Sequence, residues 1–310
     1  MAGIFKKLLS FQENGKMINF SKRPPSVSVV MPVYNGGQYL GEAIKSIVNQ
    51  SFTDFEFIIV DDCSTDQTVE IIHSFRDRRI VLIENNNNLG NYPCRNIGME
   101  LARGKYICVM DADDISLPQR IERQCAYLEA NPDVGICGSF IQTLPSGNFP
   151  KIITDDELLK VAFLSNNQCS HPSLMLRKAF LLQHQINYNE NYCYSADFDL
   201  CASGFRYFKI HNLPEVLLQY RRHPAQISTA RFAEQQKFAD TIRIRQLVVN
   251  LGFKKNQIPE SLHLKLMKRE PIPKAQTSES KNWIRKIIDR NRSFHYYEES
   301  RLSFFLNSLL

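Results

Sequence analysis

Four short apolar runs constrain this chain more than any other feature. VSVVM at 27–31, FEFIIV at 55–60, IVLI at 80–83 and YICVM at 106–110 are continuous and rich in β-branched residues. Runs of this kind have little polar surface to leave in water, so each reads as a strand buried on both faces of a sheet. Helical spacing fills the gaps. Leu40, Ala43, Ile44, Ile47 and Val48 recur on one helical face. Ser64 and Gln67 have the spacing of a capping box and predict a helix through about Phe75. Pro93 fits the first turn of a helix running to about Ala102. Pro118 opens another helix carrying Ile121, Cys125 and Leu128, which Asn131-Pro132 stops before a further strand, VGICGS at 134–139. This alternation predicts an α/β chain with a mostly parallel sheet covered by helices on both faces.

Outside that region the pattern changes. Residues 1–25 read as a basic, partly amphipathic leader ended by Pro24-Pro25. From 140 to about 225 strands and loops are mixed. From 231 the chain turns helical and polar, with FADTIRIRQLVV as its clearest amphipathic run and a Pro- and Ser-rich break at 271–280. The net charge of +6 is unevenly spread, because residues 231–310 hold 16 Lys and Arg against 8 Asp and Glu. A basic extension of that kind suits an anionic surface, or else is a solvated helical face. The eight cysteines form no C-x-x-C pair, which argues against a zinc ribbon or a thioredoxin-type motif. No export signal and no membrane-spanning stretch are expected, so reduced thiols point to the cytoplasm.

In open α/β sheets ligands bind beyond the carboxyl ends of the strands. Three polar clusters fall there: Pro32-Val33-Tyr34-Asn35, Asp61-Asp62-Cys63-Ser64 and Asp111-Ala112-Asp113-Asp114. Carboxylates two residues apart at a strand end, such as Asp111 and Asp113, can both reach one hard cation, Mg²⁺ or Mn²⁺. A carboxylate of the second cluster can accept from a ring N–H such as uracil's, and Tyr34 offers an aromatic face for a base. Each cluster alone also reads as a polar turn. Neither G-x-G-x-x-G after the first strand nor a P-loop is present, which argues against a dinucleotide fold and a P-loop nucleotidase.

VSVVMPVYNGGQYLGEAIKSIVNQSFTDFEFIIVDDCSTDQT resembles the opening of family 2 glycosyltransferases. The likeness continues through NNNNLGNYPCRNIGMELARGKYICVMDADDISLPQRIERQ and reappears in HPSLMLRKAF, SADFDLCASGF and YRRHPAQIS. It covers roughly 26–229 and is most specific over 26–139. It implies a GT-A fold, Rossmann-like, and an inverting single displacement from a nucleotide-sugar with a divalent metal. By the same resemblance 26–139 is the nucleotide-sugar-binding half and 140–230 the acceptor-binding half, and the helical, basic stretch 231–310 is an extension beyond it. Asp62 resembles the family's base-reading aspartate, with Asp61 its neighbour and Pro32 and Tyr34 beside the nucleoside. Asp111, Ala112 and Asp113 match the metal and diphosphate motif, and His223 resembles a histidine that helps hold metal or diphosphate. Asp197 falls at the general base. Ala196 stands where relatives commonly carry an acid, and Cys201 where they often carry Trp. His171 and Arg95 are candidates for substrate contact or for structural bracing.

The implied partners are a UDP-sugar and a glycan or lipid-linked acceptor of a surface polysaccharide, lipopolysaccharide or glycolipid, with 231–310 holding the enzyme to an anionic membrane surface. Nucleic acid is not expected. Two other readings stand beside this one. A nucleotidyltransferase making a nucleotide-sugar would also use metal carboxylates, but PVYNGGQYL lacks the basic residue such enzymes carry after the first strand. A non-catalytic sugar-nucleotide or nucleic-acid binding module would suit the basic extension.

Overall fold

The computed structural model describes residues 23–150, 152–224 and 226–310. The leader expected over 1–25 lies, apart from its last three residues, outside them. Chain order begins β1 (Val27–Val33), α1 (Leu40–Val48), β2 (Phe55–Asp61), α2 (Thr68–Ser74), β3 (Ile80–Glu84), α3 (Asn91–Leu101) and β4 (Tyr106–Val109). It continues with β5 (Ile115–Ser116), α4 (Arg120–Ala130), β6 (Val134–Leu144), α5 (Asp156–Ala162), β7 (Met175–Arg177), α6 (Lys178–Gln183), α7 (Ala196–Gly204) and β8 (Lys209–Arg221). Five helices follow: α8 (Ile227–Ala230), α9 (Phe232–Leu251), α10 (Glu260–Met267), α11 (Thr277–Phe294) and α12 (Glu299–Asn307).

The strands form one eight-stranded sheet in the order β3-β2-β1-β4-β7-β6-β8-β5. β1, β2, β3 and β4 run parallel, so their carboxyl ends share one edge. β7 lies antiparallel between β4 and β6, and β8 returns parallel to β6. Thus VGICGS does not simply extend the parallel run, because the three-residue β7 is inserted beside β4.

β1, β2 and β4 are buried on both faces, as continuous apolar strands require, whereas β3, at the sheet edge, leaves Ile80 and Leu82 half-buried and Glu84 exposed. Val29 and Met31 of β1 pack with Leu40, Ile44 and Ile47 of α1. Val30, on the opposite face, packs with Ile97 and Leu101 of α3. Gly98 of α3 permits that approach, since a Cβ there would meet Val30 Cγ1 at 2.4 Å. Each fully buried Val, Ile or Leu contributes about 1.5–3 kcal/mol relative to exposure.

The helices beyond 230 share an apolar core with α5, in which Leu247, Leu251, Trp283 and Leu302 meet Val161, Ala162 and Leu164. α9 does not follow the simple amphipathic expectation. Arg243, Gln246 and Asn250 are buried, while Val248 and Val249 are 37% and 40% exposed. The cause lies in the turn after α5, whose carbonyls need donors. Arg243 Nε donates to Ser165 O at 2.5 Å and Gln246 Nε2 to Phe163 O at 2.8 Å. The capping box at Ser64 also fails to form. The helix begins later, at Thr68, whose N–H donates to Asp66 Oδ1 at 3.0 Å. Ser64 instead ties two loops together, its Oγ accepting from Asn35 N at 2.9 Å.

Candidate active site

The parallel register carries the three polar clusters to one edge. Val33 is opposite Asp61, and Asp62 N donates to Val33 O at 2.8 Å, locking the ends of β1 and β2 side by side. Pro32 is a half-buried residue of β1, and Tyr34 projects with its side chain 53% exposed. Asn35 takes a left-handed φ of 47° and accepts on Oδ1 from Thr65 N at 2.8 Å.

The two aspartates after β2 are placed differently from one another. Asp62 is buried and accepts from Asn85 Nδ2, Leu89 N and Gly90 N at 3.0, 2.8 and 2.7 Å. Its carboxylate therefore also shapes the loop that leads into α3. Asp61 is equally buried, yet only Oδ2 has a partner, Ser64 N at 3.1 Å, and Oδ1 has none.

After β4 the chain packs three carboxylates together. Ligand oxygens of Asp111, Asp113 and Asp114 all lie within 4.8 Å of one another. Burial, and then the charge of Asp111, hold the Asp113 carboxyl above its usual range against the opposing influence of His223. Asp114 is pushed well above it, first by burial and then by both neighbours. Its Oδ1 accepts from Arg221 N at 2.8 Å, while its buried Oδ2 has no partner. Crowded, desolvated carboxylates with an orphaned oxygen fit a hard divalent cation, which would relieve their repulsion. Ala112 lies between Asp111 and Asp113, packed against the core under β1.

His223 follows β8, and its Nε2 reaches Asp113 Oδ2 at 2.9 Å. Arg221 braces the same loop, donating from Nε to Asp113 O at 2.9 Å and from Nη2 to Glu42 Oε2 at 2.7 Å. Tyr39 is flanked by both, its ring 4.5 Å from the Arg221 guanidinium and 5.1 Å from the His223 ring. Arg95 is buried and pairs with Asp111 Oδ1. His171 meets Tyr188 OH at 2.8 Å, and burial together with the Arg95 charge pushes its pKa down to about 4. Both are thus placed against protein groups.

Asp197 is the second residue of α7 and half-buried. It accepts from Tyr92 OH and Asn167 Nδ2, each at 2.8 Å. Tyr92 and Arg95 sit three residues apart on α3, so one helix touches both Asp197 and the acidic cluster. A cavity of about 430 Å³ between the 184–190 loop and α7 contains none of the residues singled out from the sequence; Asn96, Glu190, Asp199 and Tyr207 are among those that line it. Sequence reasoning grouped Asp114 with Asp111 and Asp113 without giving it a role, and it missed Arg221, Tyr39, Tyr92 and Asn167. Of these four only Arg221 had a local signal, two residues before His223.

Known families and solved structures resemble this chain in sequence and in fold. The family model "Glycosyl transferase family 2" matches residues 28–191, more than half of the chain. An uncharacterized glycosyltransferase of Methanocaldococcus jannaschii is 38% identical over 209 residues, covering 64% of this chain and 71% of its own. S. aureus TarS 1-349, solved in complex with UDP-GlcNAc, superposes with a TM-score of 0.63 at 18% identity, over 87% of this chain and 81% of its own. The mannosyltransferase PcManGT from Pyrobaculum calidifontis, solved with GDP-Man and Mn²⁺, gives a TM-score of 0.56 at 14% identity, over 99% and 95%. Those superpositions establish a GT-A fold, and with the family match over the sheet edge just described, this chain belongs to glycosyl transferase family 2.

Proposed function

We propose that this glycosyltransferase is metal-dependent and inverting, and that it transfers a sugar from a nucleotide-sugar, a UDP-sugar foremost, to a hydroxyl of a surface polysaccharide, lipopolysaccharide or glycolipid acceptor. The observation that carries the reading is α3, which contacts the Asp111 cluster through Arg95 and Asp197 through Tyr92. An anion-handling centre and a carboxylate suited to proton abstraction are thereby held in one arrangement.

In this reading Asp111 and Asp113, with His223, hold Mn²⁺ or Mg²⁺, and Asp114 adds a third carboxylate. A cation bound there supplies neutralisation of the charge that builds on the leaving diphosphate. Pro32, Tyr34, Asp61 and Asp62 flank the nucleoside, and the unpartnered Asp61 Oδ1 is free to accept a base N–H. Asp197 takes the proton of the acceptor hydroxyl as that oxygen attacks the anomeric carbon. The bond from that carbon to the diphosphate breaks, and its electron pair leaves with the phosphate. Residues 26–139 serve the donor and 140–230 the acceptor. No helix among the described residues is long and apolar enough to cross a membrane. The basic surface beyond 231 is the proposed contact with an anionic, cytoplasmic membrane face bearing the acceptor.

The test is a panel of UDP- and GDP-sugars incubated with Mn²⁺ or Mg²⁺ and candidate acceptors. Release of nucleoside diphosphate, abolished by EDTA, is the expected result. Pyrophosphate release from sugar 1-phosphate and nucleoside triphosphate would instead support nucleotidyl transfer, and release indifferent to EDTA would remove the metal.

A further inference from the structure

Asp197 is held from two directions. Tyr92 OH donates to Oδ1 at 2.8 Å and Asn167 Nδ2 donates to Oδ2 at 2.8 Å. The donors come from α3 and from the segment between α5 and β7, so the carboxylate cannot turn without losing one of them. Each oxygen keeps a further lone pair, which leaves capacity for an incoming hydroxyl.

Both anchors are themselves fixed. Burial, and then the Asp197 charge, push the Tyr92 hydroxyl well above its usual range, so it remains a protonated donor. Its ring stacks on Tyr188 with centroids 5.3 Å apart, and Tyr188 OH in turn meets His171 Nε2. Asn167 Oδ1 accepts from Cys169 N at 3.0 Å, which orients the amide so that Nδ2 faces Asp197. Tyr92 lies one helical turn from Arg95, the partner of Asp111. A residue whose rotamer is locked by such contacts delivers catalysis that a loose one loses, because misplacement by about 1 Å can cost ~10²-fold in rate.

We infer that Tyr92 and Asn167 are positioning residues that hold the Asp197 carboxylate in one orientation, while α3 ties that orientation to the acidic cluster. The inference rests on Asp197 acting as the base.

The experiment is a double-mutant cycle on the full chain. Tyr92→Phe keeps the ring and its stack on Tyr188 and removes only the hydroxyl. It should lower kcat by ~10–100-fold, leaving donor KM and nucleoside diphosphate affinity by calorimetry unchanged. Asn167→Ala should give the same split. In an Asp197→Asn background, itself reduced by ~10²–10⁴, Tyr92→Phe should cost nothing further, because residues acting as a unit are non-additive. Wild-type kcat in both single variants would overturn the inference. So would costs that add fully in the double variant, or donor affinity falling in step with kcat. If Asp197→Asn retains full kcat, the base assignment itself fails, an outcome distinct from failure of the positioning role alone.

Discussion

His223 Nε2 sits 2.9 Å from Asp113 Oδ2, and this contact closes the site across 110 residues of chain. It joins the loop after β4 to the segment after β8, so the acidic cluster gains its histidine partner only when both halves of the sheet have assembled. Arg221 and Tyr39 pack around the contact, and none of these groups is a neighbour of Asp113 in sequence.

The first prediction follows from the cluster. Asp113→Ala removes one carboxylate of the three and the partner of His223. Transfer should be abolished, and nucleoside diphosphate binding in Mn²⁺ or Mg²⁺ should weaken. Calorimetry with and without the cation measures it. Undiminished cation-dependent transfer in this variant would remove Asp113 from the metal site.

Asp62 carries a structural load beside its proposed role at the nucleoside. Its carboxylate accepts from Leu89 N, Gly90 N and Asn85 Nδ2. Asp62→Ala leaves those donors without that partner, at a cost of about 2–3 kcal/mol. Urea denaturation of this variant should therefore show a lower midpoint in the absence of any ligand. An unchanged midpoint would mean that the loop into α3 is held by other contacts.

The legible part of the fold was the part written in continuous apolar runs. β1, β2 and β4 are almost wholly buried and β3 is buried at alternate residues, and their β-branched sequences read as strands. β7 was not legible, because Met-Leu-Arg carries no strand pattern and gains its place only from pairing with β4 and β6. β8 is interrupted by Pro214, and its pairing with β6 shifts register. In the site, Asp111 and Asp113 announced themselves by spacing at a strand end. Tyr92 and Asn167 could not, since each meets Asp197 only through tertiary packing. The misread face of α9 has the same origin. Arg243 and Gln246 are buried because distant carbonyls require them, and periodicity within a helix holds no record of such partners.

The packing of the C-terminal helices decides how the membrane proposal can be tested. Truncation near Ala230 would strip Leu247, Trp283 and Leu302 from Val161 and Leu164 and expose apolar surface. Charge substitution avoids this. Lys281 and Arg285 are exposed one turn apart on α11, away from its buried Trp283 and Ile287. Each basic residue near an anionic surface contributes about 1 kcal/mol. The pair Lys281→Glu and Arg285→Glu should cut pelleting with anionic vesicles at low salt by tenfold or more, and salt should cut wild-type pelleting likewise. Wild-type protein remaining in the supernatant at low salt would end the membrane reading.

The last prediction uses the chain's one tryptophan. Trp283 Nε1 donates to His263 Nδ1 at 3.3 Å inside the C-terminal core, and His263 is fully buried. Burial, with the Arg243 charge adding to it, pushes the His263 pKa down to about 3 from an ordinary 6.5. The folded chain therefore keeps this imidazole neutral while the unfolded chain protonates it below pH 6.5. Between those values the unfolded state binds more protons, so stability falls as pH falls. The full contribution is present above pH 6.5 and is lost progressively toward pH 3, amounting to about 2 kcal/mol by pH 5. His263→Gln keeps an acceptor for Trp283 and cannot titrate. Urea unfolding followed by Trp283 fluorescence at pH 7 and pH 5 should show a smaller loss on acidification in the variant than in the wild type. His171 stays unchanged in both proteins, so its own depressed pKa cancels in the comparison. Identical pH dependence in the two would mean that His263 is not held neutral in the folded core.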